Sequence, residues 1–273
     1  MTGLAIKGMK LYSRVERIHT QLRDAGIAET GPIPLDVLSR FDQYHYDGVA
    51  AVEEGIARLR LGPHCRVLDV GSGLGGPARL IAGRAGCRVT ALELQPDLHE
   101  VGTLLTARVG LADIVNHCQG DILDGAPGEF DALFAWLVFL HIPKRAHLYA
   151  RCREALRPGG TMYVEDYFER GALTNEERGM LAKKVYCRHL PRLDGLRRDL
   201  DRAGFARVEI EDVTAFWTEL VTERAETWRA DREREVALHG EEVFAELDDF
   251  YSSVARLFQG GNLGGMRLVA CRR

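Results

Sequence analysis

The sequence lacks the cysteine patterns that a disulfide framework or a zinc site requires. Its six cysteines are scattered among 273 residues, and none belongs to a C-x-x-C pair or to a His/Cys cluster with metal-ligand spacing. Free thiols are the expected state of such cysteines in a reducing compartment. We therefore expect neither structural disulfides nor a bound metal.

Long apolar runs and an excess of basic residues are also missing. No stretch approaches the about 18 apolar residues of a membrane-spanning helix, and no apolar run of signal-peptide length opens the chain. The formal net charge is −4, which disfavours nonspecific binding to nucleic acid. We expect a cytoplasmic protein whose partner is a small molecule, with no nucleic acid and no membrane involved.

A glycine-rich turn is the most informative feature that is present. The sequence Val67-Leu-Asp-Val-Gly-Ser-Gly-Leu-Gly-Gly76 runs from buried-strand residues into four glycines within six positions. Gly71, Gly73 and Gly76 match G-x-G-x-x-G, the turn at which a nucleotide meets the beginning of a helix. The spacing alone allows a dinucleotide site, a different nucleoside site or a tight turn.

Strands and helices alternate on both sides of this turn, which predicts a fold class. The pattern predicts an α/β fold with a doubly wound, mostly parallel seven-stranded sheet, Rossmann-like, with helical lid insertions. The predicted strands are Arg66–Val70, Arg88–Leu94, Val115–Gln119, Phe130–Trp136, Thr161–Glu165, Ala206–Val213 and Met266–Cys271. Arg157-Pro-Gly-Gly160 is predicted to be a turn, and 216–258 a long helical region with a break near Gly240.

Polar and apolar residues at the ends of these strands suit a nucleoside. Glu93 ends the second strand, where an acid can accept hydrogen bonds from ribose hydroxyls. Asp121 follows the third strand and could accept from an adenine amino group. Trp136 and Leu137 would supply apolar surface. Asp69, Gly71, Ser72, Gly73, Leu94 and Ile122 complete the predicted cofactor-binding set.

Four motifs in combination resemble one family, the class I S-adenosylmethionine-dependent methyltransferases. They are the strand and turn Leu68–Gly76, the second-strand acid Glu93, the pair Gly120-Asp121 and the turn Leu156-Arg-Pro-Gly-Gly160. The resemblance is close over about residues 40–170 and implies S-adenosyl-L-methionine as cofactor. A dinucleotide oxidoreductase would need a second set of residues for nicotinamide, and the sequence offers none.

The resemblance also implies a domain organisation. Residues 1–48 are expected to form an N-terminal helical lid segment, in which Leu11, Val15, Ile18 and Leu22 recur at helical spacing. Residues 49–170 would be the S-adenosylmethionine-binding core and 171–204 a helical cap. Residues 205–273 would add the last two strands with a helical insertion. The charged helix between Glu219 and Glu235 suits a lid or a homodimer surface.

Within the superfamily the sequence is similar to the phosphoethanolamine N-methyltransferases and their sarcosine-, sterol- and quinone-type relatives. Phe41–Gly48 resembles the segment that places a tyrosine over the transferred methyl, which indicates Tyr44 or Tyr46. Val138-Phe-Leu-His141 resembles the stretch whose histidine pairs with that tyrosine. His141 is therefore the predicted base, and His45 is a competing one. Tyr167 resembles a substrate contact at the end of the fifth strand.

Two departures leave the acceptor open. Leu137 stands where those enzymes carry an aspartate, and their phosphate-binding residues do not align cleanly, although Arg188 lies nearby. Methylation of an amine nitrogen is narrowly favoured. The alternatives are C- or O-methylation of a terpenoid, polyketide or other secondary metabolite, a cyclisation or carboxyl transfer on the same scaffold, and a non-catalytic S-adenosylmethionine-binding regulatory protein.

Overall fold

A computed structural model describes residues 15–273, so Leu11 of the predicted N-terminal helix lies outside the described residues. Those residues form one seven-stranded sheet with the strand order β3-β2-β1-β4-β5-β7-β6. The strands are β1 (Arg66–Val70), β2 (Arg88–Glu93), β3 (Val115–Gln119), β4 (Phe130–Trp136), β5 (Leu156–Glu169), β6 (Phe205–Asp212) and β7 (Leu263–Arg272). Strands β1 to β5 pair in parallel, and β7 runs antiparallel to both β5 and β6.

Helices connect the parallel strands and cover the sheet. They are α1 (Glu16–Asp24), α2 (Leu35–Leu38), α3 (Gly48–Leu59), α4 (Gly76–Ala85), α5 (Pro96–Val109), α6 (Arg145–Ala155), α7 (Asn175–Lys184), α8 (Leu193–Arg202), α9 (Thr214–Ala230), α10 (Arg232–His239) and α11 (Glu241–Gln259). The predicted mostly parallel α/β sheet is confirmed. Because β1 to β5 are parallel, their carboxyl ends meet at one edge, which is where open sheets of this kind bind ligands.

The structure corrects two local predictions. Arg157–Gly160, predicted as a turn before the fifth strand, lies inside β5 as an irregularity in its pairing with β4, where Phe130 pairs with Leu156 and Ala132 with Thr161. An irregularity of this kind absorbs extra residues in one strand without ending the strand. The long helical region breaks at Gly240 as predicted, where φ is 84°, and it breaks a second time at Asp231, where no break was predicted.

Later helices pack against residues near the carboxyl ends of β4 and β5. Tyr167 near the end of β5 and Leu140 just after β4 share a buried cluster with Trp217 of α9 and Phe258 of α11. A separate cluster joins Ile18 and Leu22 of α1 to Leu98 and Leu105 of α5. The N-terminal segment therefore packs against α5, whereas α9 and α11 pack near the carboxyl ends of β4 and β5. Within residues 15–273, no helix is both long and apolar enough to cross a membrane.

Candidate active site

A cavity of about 970 Å³ opens at the carboxyl ends of β1, β2 and β4. Its wall includes all ten residues predicted to bind the cofactor, together with Tyr44, His45 and His141. Tyr46, Tyr167 and Arg188, which were also predicted, are not among the lining residues. The cavity is of the size and mixed polarity typical of cofactor and small-molecule sites.

The glycine turn forms one side of this cavity because its backbone folds tightly after β1. Gly71 has a positive φ of 68°, and a Cβ there would lie 2.6 Å from a Val138 methyl group. Residue 71 must therefore be glycine, since both its backbone conformation and its packing exclude a side chain. The Gly73 N–H donates to the Glu93 carboxylate at 2.8 Å, which ties the turn to the end of β2.

Asp69 provides the most distinctive polar group of the cavity. It lies on β1 and is 1% exposed, and no group of residues 15–273 hydrogen-bonds to its Oδ2 atom. Burial, together with the nearby Glu93 carboxylate, raises the pKa of Asp69 to about 7. A buried carboxylate oxygen without a protein donor is costly unless a ligand satisfies it. Asp69 therefore has acceptor capacity for a hydrogen-bond donor or a cation, and its contact with a ligand stays a prediction.

Glu93 and Asp121 extend the acidic side of the cavity. The two Glu93 oxygens accept from the Gly73 and Gln95 N–H groups, each at 2.8 Å. Burial raises the pKa of Glu93, and these backbone donors oppose the shift. Asp121 accepts from the Leu123 N–H at 2.9 Å and caps the short 3₁₀ turn Ile122–Asp124. Each carboxylate oxygen has two acceptor sites, so both residues keep acceptor capacity towards the cavity.

Aromatic rings form another part of the cavity wall. The His45 and Trp136 rings lie 5.4 Å apart between centroids, and Trp136 stacks on Phe134 at 5.1 Å. His45 Nε2 lies 2.9 Å from the Gly48 carbonyl oxygen, and burial lowers the pKa of His45 to about 4. At neutral pH this ring is uncharged. Because the Gly48 carbonyl is a hydrogen-bond acceptor, Nε2 carries the proton and Nδ1 is the basic nitrogen.

The 3₁₀ turn Phe139–His141 brings His141 to the cavity. The Asp166 carboxylate, which is fully buried at the end of β5, accepts from the Leu140 N–H at 2.8 Å and from the Tyr167 N–H at 2.6 Å. Burial lowers the pKa of His141 to about 4, although a hydrogen bond to the Tyr186 backbone acts to raise it. His141 is therefore neutral at pH 7 and able to accept a proton.

The tyrosines of the N-terminal segment take different positions. Tyr44 lines the cavity, and burial raises its pKa to about 12. The Tyr46 hydroxyl hydrogen-bonds to the Tyr167 hydroxyl inside the lid cluster, and the Arg224 guanidinium lies 5.0 Å from the centre of the Tyr46 ring. Arg188 is exposed between α7 and α8. Contacts of Tyr46, Tyr167 and Arg188 with a ligand therefore stay predictions.

Sequence reasoning missed several cavity residues whose signal is weak. Asp42 and Gln95 both line the cavity. Asp42 lies within the predicted segment Phe41–Gly48, and Gln95 lies two residues after the predicted Glu93. Lys144, which precedes α6, and His147 and Arg151 of α6 also line the cavity at intervals of three and four, and that spacing could have been read as one helix face. No cluster of potential metal ligands occurs in the part of the chain that the structure describes.

Residues 68–164 match a family model described as a methyltransferase domain. The match begins inside β1 and ends inside β5, so it contains the glycine turn, Asp69, Glu93, Asp121 and His141. It does not include the N-terminal segment or the lid helices.

Two curated relatives match part of the chain. The chain is 26% identical over 167 residues to a glycine/sarcosine/dimethylglycine N-methyltransferase of Actinopolyspora halophila, covering 60% of this chain and 30% of that protein. It is 35% identical over 123 residues to a sterol 24-C-methyltransferase of Eremothecium gossypii, covering 44% of this chain and 33% of that one. The chain therefore spans about a third of the length of these relatives.

A solved structure supports the fold over nearly the whole chain. The phosphoethanolamine N-methyltransferase 2 of Haemonchus contortus, in complex with phosphomonomethylethanolamine and S-adenosylhomocysteine, superimposes with a TM-score of 0.76. The superposition covers 97% of this chain and 60% of that chain at 20% sequence identity. At that identity the likeness concerns the fold.

Proposed function

We propose that this chain, whose residues 68–164 form a methyltransferase domain, transfers the methyl group of S-adenosyl-L-methionine to a small-molecule acceptor. The observation that carries the proposal is the buried Asp69 carboxylate beside the glycine turn, with its Oδ2 atom facing no protein donor among residues 15–273. The free thiols of all six cysteines suit the cytoplasm as the compartment.

The methionine, ribose and adenine parts of this cofactor each have suitable residues around the cavity. Asp69 would accept from the amino group of the methionine moiety, and the Ser72 hydroxyl, which is also buried without a partner in the described chain, would donate or accept beside it. Glu93 would accept from the ribose hydroxyls and Asp121 from the adenine amino group. Leu94, Ile122, Trp136 and Leu137 would enclose the adenosine. When bound, S-adenosyl-L-methionine supplies an electrophilic methyl group on a sulfonium.

Positioning and proton acceptance are the tasks left to the chain itself. Displacement at the methyl carbon needs an acceptor atom held in line and shielded from water, and this can supply much of the rate. Tyr44 and Trp136 would exclude water at the acceptor end. His141, neutral because burial depresses its pKa, would accept a proton from the methylated product, and His45 is the competing proton acceptor. Tyr46 would act through its hydrogen bond to Tyr167.

The lowered pKa values of His141 and His45 narrow the choice of methyl acceptor. A histidine whose pKa is about 4 is a weak base, so it is poorly matched to an alcohol, whose proton is held far more tightly. A neutral amine attacks without losing a proton first, and we narrowly favour an amine nitrogen. An alkene carbon is the alternative, since the cation formed by its methylation gives up a proton even to a weak base. The apolar Leu137 on the cavity wall favours this second acceptor.

Two measurements on the purified protein test the proposal. S-adenosylhomocysteine should raise the melting temperature, because a ligand that binds only the folded state stabilises it by linkage. A labelled-methyl transfer screen across amines, phospho-amines, phenols and prenyl diphosphates should then identify the acceptor class. The proposal fails if S-adenosylhomocysteine gives no shift, or if a nicotinamide dinucleotide gives an equal one.

The screen also separates the alternatives. A shift with S-adenosylhomocysteine but no labelled product from any acceptor class would indicate a non-catalytic binding protein. Consumption of an acceptor without incorporation of label would indicate a cyclisation or another reaction on the same scaffold.

A further inference from the structure

A buried ion pair joins the N-terminal segment to the helix that follows the glycine turn. Arg79 of α4 donates from one terminal nitrogen to Asp42 Oδ2 at 2.8 Å, and the two side chains are 0% and 1% exposed. The other Asp42 oxygen, Oδ1, accepts from the Gln43 side chain at 2.7 Å. Neither charge reaches solvent, so each depends on the other for compensation.

Arg79 also holds the glycine turn and α5. The nitrogen that donates to Asp42 donates to the Leu74 carbonyl at 2.6 Å as well. The second terminal nitrogen donates to the Gly102 carbonyl at 3.1 Å and to the Thr106 hydroxyl at 2.9 Å. One guanidinium nitrogen therefore bridges the turn that lines the cofactor end of the cavity and the segment that lies over its other end.

Gly76 gives independent support for this junction. A Cβ at residue 76 would lie 2.4 Å from the Asp42 carbonyl oxygen and 2.6 Å from the Gln43 side-chain nitrogen. Gly76 does not line the cavity, and its φ is not in the left-handed region. The residue is therefore constrained by the approach of the Asp42 backbone, not by a ligand or by its own conformation.

The segment that docks here carries candidate acceptor-site residues. Asp42, Tyr44 and His45 all line the cavity, and the His45 ring lies against Trp136. A displacement of Asp42 would move Tyr44 and His45 relative to the cofactor end, because only one residue separates Asp42 from Tyr44.

We propose that Asp42, Arg79 and Gly76 form a seat that positions residues 42–47 against the glycine turn. Through this seat, ligand binding at the turn and the placement of Tyr44 and His45 over the acceptor are coupled. Asp42 and Arg79 are positioning residues in this scheme, and Gly76 is the contact surface on which the segment rests. The inference rests on the proposed function, because it assigns the two ends of the cavity to cofactor and acceptor.

Gly76→Ala tests the seat without altering any charge. A helical alanine is intrinsically favourable, so the defined consequence of the change is displacement of the Asp42 backbone. We expect methyl transfer to fall about 10- to 100-fold, as small misplacements of catalytic groups do. We also expect amide hydrogen exchange to be faster over residues 40–47, with loss of the slowing that S-adenosylhomocysteine produces there in the parent protein.

Gly179→Ala on α7 is the matched control. A Cβ at residue 179 meets no atom within 4 Å, so this variant should keep the parent turnover and the parent exchange pattern. Parent-like turnover and parent-like exchange over residues 40–47 in Gly76→Ala would overturn the proposal.

The double variant Asp42→Leu/Arg79→Met is the second test. Replacing both partners by apolar residues leaves no unpaired buried charge, which is often tolerated where loss of one partner is not. We expect a folded protein whose turnover is again about 10- to 100-fold lower. If it does not fold, Gly76→Ala decides the question. If the parent shows neither a shift with S-adenosylhomocysteine nor methyl transfer, the proposed function fails; if the parent shows both and the variants match it, only the seat fails.

Discussion

The Asp166 carboxylate accepts a hydrogen bond from the Leu140 N–H at 2.8 Å. This contact joins the end of β5 to the 3₁₀ turn whose last residue is His141. A charged acceptor at the beginning of a turn satisfies donors that the turn itself leaves unpaired. The position of the candidate base is therefore set by an acid from a neighbouring strand.

Asp166→Asn should destabilise the protein and reduce turnover. The amide keeps one acceptor oxygen but turns an NH₂ group towards the backbone donors of Leu140 and Tyr167. Leaving a buried donor unsatisfied costs about 1–3 kcal/mol. Chemical denaturation should show a loss of this size. Asp113→Asn is the control, since Asp113 is exposed and should be neutral within about 0.5 kcal/mol. Equal stability of the two variants would contradict this assignment.

Binding of S-adenosylhomocysteine should strengthen as the pH rises through 7. The pKa of Asp69 is raised to about 7 by burial, above its unfolded value of about 3.9. The stability that this group contributes is therefore present below about pH 4 and is lost as the pH rises through 7. A cationic amino group beside the carboxylate favours its ionised form, so the affinity should fall by at most about tenfold per pH unit below 7.

Calorimetric titration between about pH 5.5 and 8 checks this expectation. Asp69→Asn, which cannot ionise, should bind more weakly and should flatten the pH dependence. A parent affinity that does not vary over this range, or an unchanged pH dependence in Asp69→Asn, would argue against Asp69 as the receptor for the amino group.

His141→Ala should lose turnover and keep the thermal shift with S-adenosylhomocysteine. With an amine acceptor His141 takes the proton of the methylated product, so initial-rate assays should show slower turnover. A loss of about 10²- to 10⁴-fold would indicate an acceptor that loses its proton in the transition state itself. His45→Ala is the companion variant, because both histidines line the cavity and both have a pKa lowered to about 4 by burial. A larger loss in His45→Ala would assign proton acceptance to His45, and a wild-type rate in both would remove the base from the mechanism.

Tyr44→Phe and Tyr46→Phe should separate a cavity tyrosine from a lid tyrosine. Tyr44 lines the cavity, whereas the Tyr46 hydroxyl is engaged with Tyr167 in the buried lid cluster. Loss of the Tyr46 hydroxyl should cost about 1–2 kcal/mol of stability and should lower turnover only through the lid. Tyr44→Phe should change the acceptor KM or kcat with less effect on stability. The reverse pattern would indicate that Tyr46, and not Tyr44, contacts the acceptor directly.

The local sequence pattern was sufficient to predict most strands of the core. The bounds of β1, β3 and β4 agree with the sequence prediction, because alternation of short apolar runs with helix-period segments depends on near neighbours. Arg157–Gly160 was misread, since proline and glycine indicate an interruption but do not say whether a strand ends there or bulges. The pairing partner decides between the two.

The residues proposed to bind the cofactor could be predicted from the sequence for the same reason. Asp69, Gly71 and Glu93 lie at strand ends, and parallel pairing brings such ends together wherever the strands are predicted correctly. The direction of each pKa shift could not be predicted, because burial depends on what covers the cavity.

Only the tertiary structure shows which residues of the N-terminal segment face the cavity. Sequence reasoning could not choose between Tyr44 and Tyr46, two residues apart in one segment, and the contact with α9 and α11 buries one of them while the other faces the cavity. Nor could it connect Asp42 with Arg79, or show that Gly76 makes room for the Asp42 backbone. The sequence by itself determined the sheet and the glycine turn through short-range periodicity. Contacts between distant segments, which no local pattern encodes, determined how the lid segment is placed over the site.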